Sequence, residues 1–141
     1  MANLYINVTE EITLTNNETQ KVITPTIISD INYVDVRNMN CPTGSQTNIF
    51  SLGATPGAGT FVTSSLQYAR ITNLSTNPIK LSIESPTTDT SFLISAGNSF
   101  YISTSKITGS IDHNFTLEDI QNVYIESTGS SSTIEYFIAT N

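Results

Sequence analysis

Residues Ala69–Ile83, ARITNLSTNPIKLSI, hold two apolar runs separated by a turn. In the second run Ile79, Leu81 and Ile83 alternate with Lys80, Ser82 and Glu84. A period of two places one set on a buried face and the other in water, which is the signature of a half-buried β-strand. Asn73 to Asn77 supply the turn, and Pro78 stands at a strand start, where its missing N–H does least harm. Ser91–Ser103, SFLISAGNSFYIS, repeats the arrangement: an apolar run at Phe92–Ile94, an Ala-Gly turn, and a second run at Phe100–Ile102. No side chain in either stretch has an obvious chemical task. Both read as hairpin scaffold.

The same alternation extends outward along the chain. Leu4, Ile6 and Val8, then Ile12 and Leu14, alternate with polar neighbours around Glu10 and Glu11. Val22–Ile28, VITPTII, is strand-like but carries Pro25, which assigns it to a sheet edge or a bulge. In Ile31–Met39, Val34 and Val36 share one face while Tyr33, Asp35 and Arg37 share the other. Asn48–Leu52, Tyr68–Thr72, Val123–Glu126 and Thr133–Ala139 complete the set, the last with Ile134, Tyr136 and Ile138 on one face. Short strands with turn signals at intervals of about 8–12 residues predict an all-β, antiparallel β-sandwich, jelly-roll-like, of about 8–10 short strands. No internal repeat or linker divides the chain, so one domain over residues 1–141 is expected, with an extended N-terminal segment over 1–15.

Other local signals depart from that pattern. Thr116-Leu-Glu-Asp119 resembles a capping box and predicts a helical turn or two through Gln121. Ser51–Ser65, SLGATPGAGTFVTSS, reads as a long loop, and Thr128–Ser132 as a hairpin connection.

Composition points the same way. The 141 residues include 40 Ser or Thr, 14 Asn, and 18 Ile against 8 Leu. β-branched side chains suit a pleated surface, while the usual helix formers are scarce. Charged residues make up only 12%, with 5 basic and 12 acidic side chains and a net charge of −7. The cations Lys21, Arg37, Arg70, Lys80 and Lys106 are scattered, so no basic stripe exists to read a phosphate backbone or an anionic bilayer. Neither nucleic acid nor membrane is an expected partner. With one cysteine, Cys41, no intrachain disulfide can form, and the N-terminus lacks the pattern of a signal peptide. Folding in a reducing cytoplasm without export is the expectation. The four Asn-x-Ser/Thr sequons, at Asn7, Asn17, Asn73 and Asn114, match chance for this composition.

Candidate chemistry thins out on inspection. His113, the one histidine, stands beside Asp112, and adjacent side chains in an extended chain point apart. Cys41 precedes Pro42 with no second cysteine for zinc. Gly53 to Gly59 offers small residues for an anion, but Thr60-Phe61 follows where a P-loop needs Lys and Ser/Thr. Asp112, Asn114, Thr116 and Glu118 fall at alternate positions as in a calcium loop. The required Gly and final Glu are replaced by Leu117 and Val123. Carboxylate pairs for glycoside hydrolysis, Glu84 with Asp89 or Glu126 with Glu135, would need to stand about 5 Å or 6.5–9.5 Å apart. No catalytic residue, metal ligand or cofactor is assigned, and the chain is read as non-enzymatic.

The run Tyr68–Ser103 also carries a resemblance. Arg70-Ile71-Thr72-Asn73, followed by Leu93-Ile94-Ser95-Ala96-Gly97 and an aromatic strand, resembles small virion accessory proteins of tailed bacteriophages. The resemblance implies a compact β-sandwich or jelly roll, assembly in the host cytoplasm and residence in the virion. It further implies a structural role as a capsid decoration or cement subunit, binding the phage major capsid protein or other virion proteins, as a homo-oligomer. Contacts are expected from Ser51–Ser65 and from Met1–Thr15, because loops and termini carry function on rigid β scaffolds. The alternative is a carbohydrate- or host-surface-binding β module on a tail or fibre, for which exposed Tyr and Phe should cluster at one end of the sandwich. A third reading, a hydrolase, rests on the scattered carboxylates alone.

Overall fold

Thirteen strands run through the described residues. They are β1 (Ala2–Thr13), β2 (Thr19–Ile31), β3 (Tyr33–Cys41), β4 (Thr47–Gly53), β5 (Thr60–Val62), β6 (Leu66–Asn73), β7 (Ile79–Glu84), β8 (Asp89–Ile94), β9 (Ser99–Ile102), β10 (Lys106–Ile111), β11 (Asn114–Asp119), β12 (Asn122–Ser127) and β13 (Ser132–Thr140). The computed structural model describes residues 2–104, 106–111 and 114–141, with side chains outside 105–118.

Nine of these strands build two packed sheets, one ordered β5-β4-β12-β7-β8 and the other β3-β13-β6-β9. The pairing is nested. β7 pairs with β8, β6 with β9, β4 with β12 and β3 with β13, all antiparallel. Eight strands thus form one long ribbon, β3-β4-β6-β7 running against β8-β9-β12-β13, that is rolled into a sandwich. Rolling such a ribbon gives the jelly-roll order, and it hides the ribbon's apolar side between the sheets. The short β5 is added parallel to β4. The expected 8–10 strands therefore match the sandwich itself, while the β1–β2 and β10–β11 hairpins stand as separate two-stranded sheets.

The core follows the alternation. Ile79 and Leu81 on β7, Ile125 on β12, Ile71 on β6 and Ile134 and Ile138 on β13 are all 0% exposed. Phe50, Val123, Ile94 and Ile102 fill the space between them. Replacing one of these isoleucines by Ala would cost about 2–5 kcal/mol, through lost transfer energy and the cavity left behind.

Two local expectations are corrected. Residues Asn114–Asp119 form β11, paired in register with β10, and not a helical turn. A capping signal without a 3.6-residue apolar stripe behind it has no packing to sustain a helix, so strand pairing wins. The Ser51–Ser65 stretch is not one long loop. It contains the end of β4, all of β5 and a 3-10 turn at Thr63–Ser65.

β1 and β2 form a hairpin of 12- and 13-residue strands. At its tip Leu14 and Glu18 are bonded, and Asn17 takes φ 62°, a left-handed conformation that Asn tolerates well. Pro25 lies opposite Asn7 in this two-stranded sheet, where both strands are edges, in keeping with its reading as an edge residue. Near the root, Ala2 pairs with Ile31 but Leu4 with Ile28, so β2 carries an extra residue there. Asp30, at φ 63°, sits at this bulge.

Candidate functional site

The two ends of the jelly roll differ in character. One end gathers the β3–β4, β6–β7, β8–β9 and β12–β13 connections and is knitted by side chains. Asn77 Nδ2 donates to Ser130 Oγ at 2.7 Å, Thr128 Oγ1 to the Pro78 carbonyl at 2.7 Å, and Ser75 Oγ to the Thr133 carbonyl at 3.2 Å. Asn73 is fully buried within this network. These polar groups are satisfied by one another, and such an end is a brace.

The other end holds a cleft of about 720 Å³ between the start of β3 and residues 56–65. Its wall carries Tyr33, Asp35 and Arg37, facing Phe61 on β5. Tyr33 and Phe61 stand with ring centroids 6.1 Å apart, and Tyr33 is 52% exposed. Asp35 accepts from Arg37 Nε at 3.0 Å and from Tyr136 Oη at 2.8 Å. Burial, and then the bond to Asp35, push the Tyr136 hydroxyl up to about 12. The hydrogen bond to Asp35 likewise holds the Arg37 guanidinium above its ordinary range. Asp35 thus ties strands β3 and β13 together, accepting one bond on each carboxylate oxygen.

Alternation predicted that Tyr33, Asp35 and Arg37 share a face, and they do. The face is the inner one, at the open end of the sandwich, where Tyr136 lies opposite Arg37 and Ile138 opposite Asp35. Val34 and Val36 consequently point outward, 45% and 52% exposed. An edge strand with its apolar side in water is a first sign of an unfilled surface.

The outer face of the four-stranded sheet supports the root of the hairpin. Ile31, Tyr68 and Ala139 are buried there, packed with Leu4, Ile6, Ile28 and Phe137. On the opposite face of the root, and farther along the hairpin, apolar residues stay in solvent: Tyr5 is 66% exposed, Ile27 58%, and Ile12, Val22 and Ile23 each 56%. Between β1 and the sheet runs a groove of about 420 Å³, lined by Leu4–Thr9 on one side and by Tyr68, Arg70 and Tyr101 below. Arg70 is ion-paired with Glu135 on this face.

The remaining candidates separate in space. Cys41 is fully buried, and burial pushes its thiol up to about 11, which makes it inert. Glu84 and Asp89 are paired across β7 and β8, and Glu84 accepts from Asn122 Nδ2 at 3.1 Å. Glu126 belongs to β12 and Glu135 to β13, in different sheets, and each alternates with buried inward neighbours. They lie on opposite outer faces of the sandwich and frame no common cleft. Gly53, Gly57 and Gly59 line the β4–β5 connection, Gly59 at φ 73°. Asp112 and His113 lie outside the described residues, as do the side chains of Asn114, Thr116 and Glu118. Among the described residues no three His, Cys, Asp or Glu side chains group together as metal ligands, and no helix is long and apolar enough to cross a membrane.

The exposed hairpin was only half visible in the sequence. The alternation of Leu4, Ile6 and Val8 marked a strand, but nothing local says that its apolar side meets water.

No protein-family model matches the chain, and a comparison with curated proteins finds no match. Among solved structures, the chain is similar to a cupin domain from Bordetella pertussis Tohama I, at 12% identity and a TM-score of 0.43. That alignment covers 96% of this chain and 94% of the other. It is also similar to a Bacillus endospore appendage protein from a family of disulfide-linked pili, at 13% identity and a TM-score of 0.45, covering 79% of this chain and 88% of the other. Likeness at this level assigns no activity.

Proposed function

We propose that the chain is a non-enzymatic structural subunit of a phage particle, a capsid decoration or cement protein, which docks through the hairpin Ala2–Ile31. The observation that carries the docking role is the run of exposed apolar side chains along both faces of that hairpin, from Tyr5 to Ile27. Large apolar groups held in water on a long, rooted arm are characteristic of an assembly surface, since covering them on a partner removes that area from solvent. A subunit that binds only the assembled shell stabilises that shell by mass action. The particle setting rests on the resemblance of Arg70–Asn73 and Leu93–Gly97 to virion accessory proteins. The cytoplasmic assembly and homo-oligomeric state that the resemblance implies belong to this proposal.

Mass spectrometry of purified particles tests it, comparing the wild type with a Tyr5→Ser/Ile23→Ser/Ile27→Ser variant. The expected result is the wild-type chain in the particles and its loss in the variant, with unchanged thermal stability. Recovery of the wild-type chain solely from soluble fractions would sink the proposal.

A second reading, a carbohydrate- or host-surface-binding module, is favoured by one observation: Tyr33 and Phe61 line the open end cleft beside Arg37. Tyr33→Ala would then abolish retention on a glycan panel while leaving particle incorporation intact. Absence of any retention by the wild-type protein would remove this reading.

A further inference from the structure

The hairpin leaves the outer backbone edge of each of its strands open among the described residues. Among the described residues β1 is bonded only to β2, so the far side of this 12-residue strand offers N–H and C=O groups for a further strand. The groove over the four-stranded sheet is lined by six consecutive residues, Leu4 to Thr9. Consecutive residues alternate between faces of a strand, so a groove that all six line runs along the strand's edge. Its floor is aromatic, with Tyr68 and Tyr101 at a ring centroid distance of 6.2 Å. The floor also holds Arg70, whose buried Nε has no hydrogen-bond partner among the described residues. An open edge above a largely aromatic floor fits an added β-strand, whose N–H and C=O groups serve that edge while its side chains cover the floor.

We propose that the occupant is β1 of a second copy of this chain, paired antiparallel about a twofold axis at Ile6. The inference rests on the hairpin being an assembly arm. Three observations favour a second copy. First, a chain of net charge −7 meets itself only through an uncharged surface, and Ala2–Thr9 contains no charged residue. Second, the two edges of the hairpin are not alike: β2 carries Lys21, Pro25 and Asp30, the residue types that discourage strand addition, whereas β1 has none of them before Glu10. Third, the register is chemically consistent. A twofold axis at Ile6 sets Ile6 against Ile6 and Leu4 against Val8 on the face continuous with the packed root. Tyr5 then opposes Asn7, and Asn3 opposes Thr9, on the other face. Such an isologous pairing closes on itself and yields a four-stranded sheet, β2-β1 joined to β1-β2 of the second copy.

Disulfide trapping in the full chain tests this, because Cys41 is fully buried and contributes no accessible thiol. In a Tyr5→Cys/Asn7→Cys variant each introduced thiol opposes its counterpart, and mild oxidation is expected to convert most of the protein into a covalent dimer. The same pair of changes on the other edge, Lys21→Cys/Ile23→Cys, is expected to stay monomeric. Native mass spectrometry of the unmodified chain should show a dimer. A monomeric native mass, or equal trapping on both edges, would overturn the proposal. If particle incorporation nevertheless depends on the hairpin, the docking arm stands and a different protein fills the groove.

Discussion

Asn73 Nδ2 donates to the carbonyl of Ile94 at 3.1 Å, joining the end of β6 to the end of β8. The same amide donates to the Asn77 carbonyl at 2.8 Å, and Asn73 Oδ1 accepts from the Ser75 N–H at 2.9 Å. The backbone of Asn73 accepts from Gly97 N–H and donates to the Asn98 carbonyl, each at 2.9 Å. The two stretches Arg70–Asn73 and Leu93–Gly97 are thus halves of one lock at the braced end of the jelly roll. Their shared presence has a structural cause: the side chain of one closes the turn of the other.

Asn73→Ala removes three side-chain bonds and strands two carbonyls and an N–H in a buried site, at an expected cost of about 2–4 kcal/mol. Asn73→Asp should cost more. Its carboxylate keeps the acceptor for Ser75 but turns a second acceptor toward two carbonyls, with no donor left. Equilibrium urea unfolding of the two variants checks the order, and a milder effect for Asp would contradict this account of the lock.

Gly97 tests the backbone side of the same turn. It lies at φ 73°, and a Cβ added there would meet nothing within 4 Å. Gly97→Ala should therefore cost about 1–2 kcal/mol from conformation alone, and Gly97→Asn less, because Asn enters the left-handed region more readily. The difference between the two in thermal unfolding is the measure.

Alkaline conditions should loosen the cleft end. Tyr136, 3% exposed, has its hydroxyl held up to about 12 by burial and by Asp35, against an ordinary value near 10. A raised value in the folded state means that the stabilisation is complete below about pH 10 and is lost as pH rises through about 12. Cys41 adds the same sign over a window from about 9 to 11. The midpoint of thermal unfolding should hold steady to about pH 9 and then fall. Tyr136→Phe should start lower at neutral pH, because it gives up the bond to Asp35, and should fall less steeply in alkali.

Much of the sandwich was legible in single residues. Ile79, Leu81 and Ile83 announced a buried face by alternation, as did Ile134, Tyr136 and Ile138. The pairing of β3 with β13 and β4 with β12 was not, because partners so distant in sequence leave no local trace. Val34 and Val36 show a second limit. Period two says which residues share a face, but the direction of that face depends on where the strand joins the sheet. At the open end the polar set turned inward to meet Tyr136. The cleft residues Tyr33, Asp35 and Arg37 were visible as a set, yet nothing in their spacing revealed that Phe61, across a glycine-rich connection, would face them.

The Cys41 thiol is a reporter of opening. At 0% exposure it should resist a water-soluble thiol reagent in the native state at neutral pH and react only when the core opens. Its labelling rate under increasing urea should follow the global unfolding transition. Rapid labelling of the native protein would show that the β3 edge opens on its own.

The hairpin should divide sharply into a root that stabilises the fold and a distal arm that does not. Ile31, 5% exposed, packs with Tyr68 and Ala139, so Ile31→Ala should cost about 2–4 kcal/mol. Ile23, 56% exposed, loses almost nothing on substitution, and Ile23→Ser should leave stability within about 0.5 kcal/mol of the wild type. Hydrogen exchange provides the independent check. The Ile31 and Asn32 amides should be protected, the latter bonded to the Thr140 carbonyl at 2.9 Å, while amides near Asn17 exchange quickly. Raising the protein concentration should then slow exchange along Leu4–Thr9, since strand addition by a second copy covers the edge amides of β1. Slowing confined to the cleft end around Tyr33 would instead place the contact there.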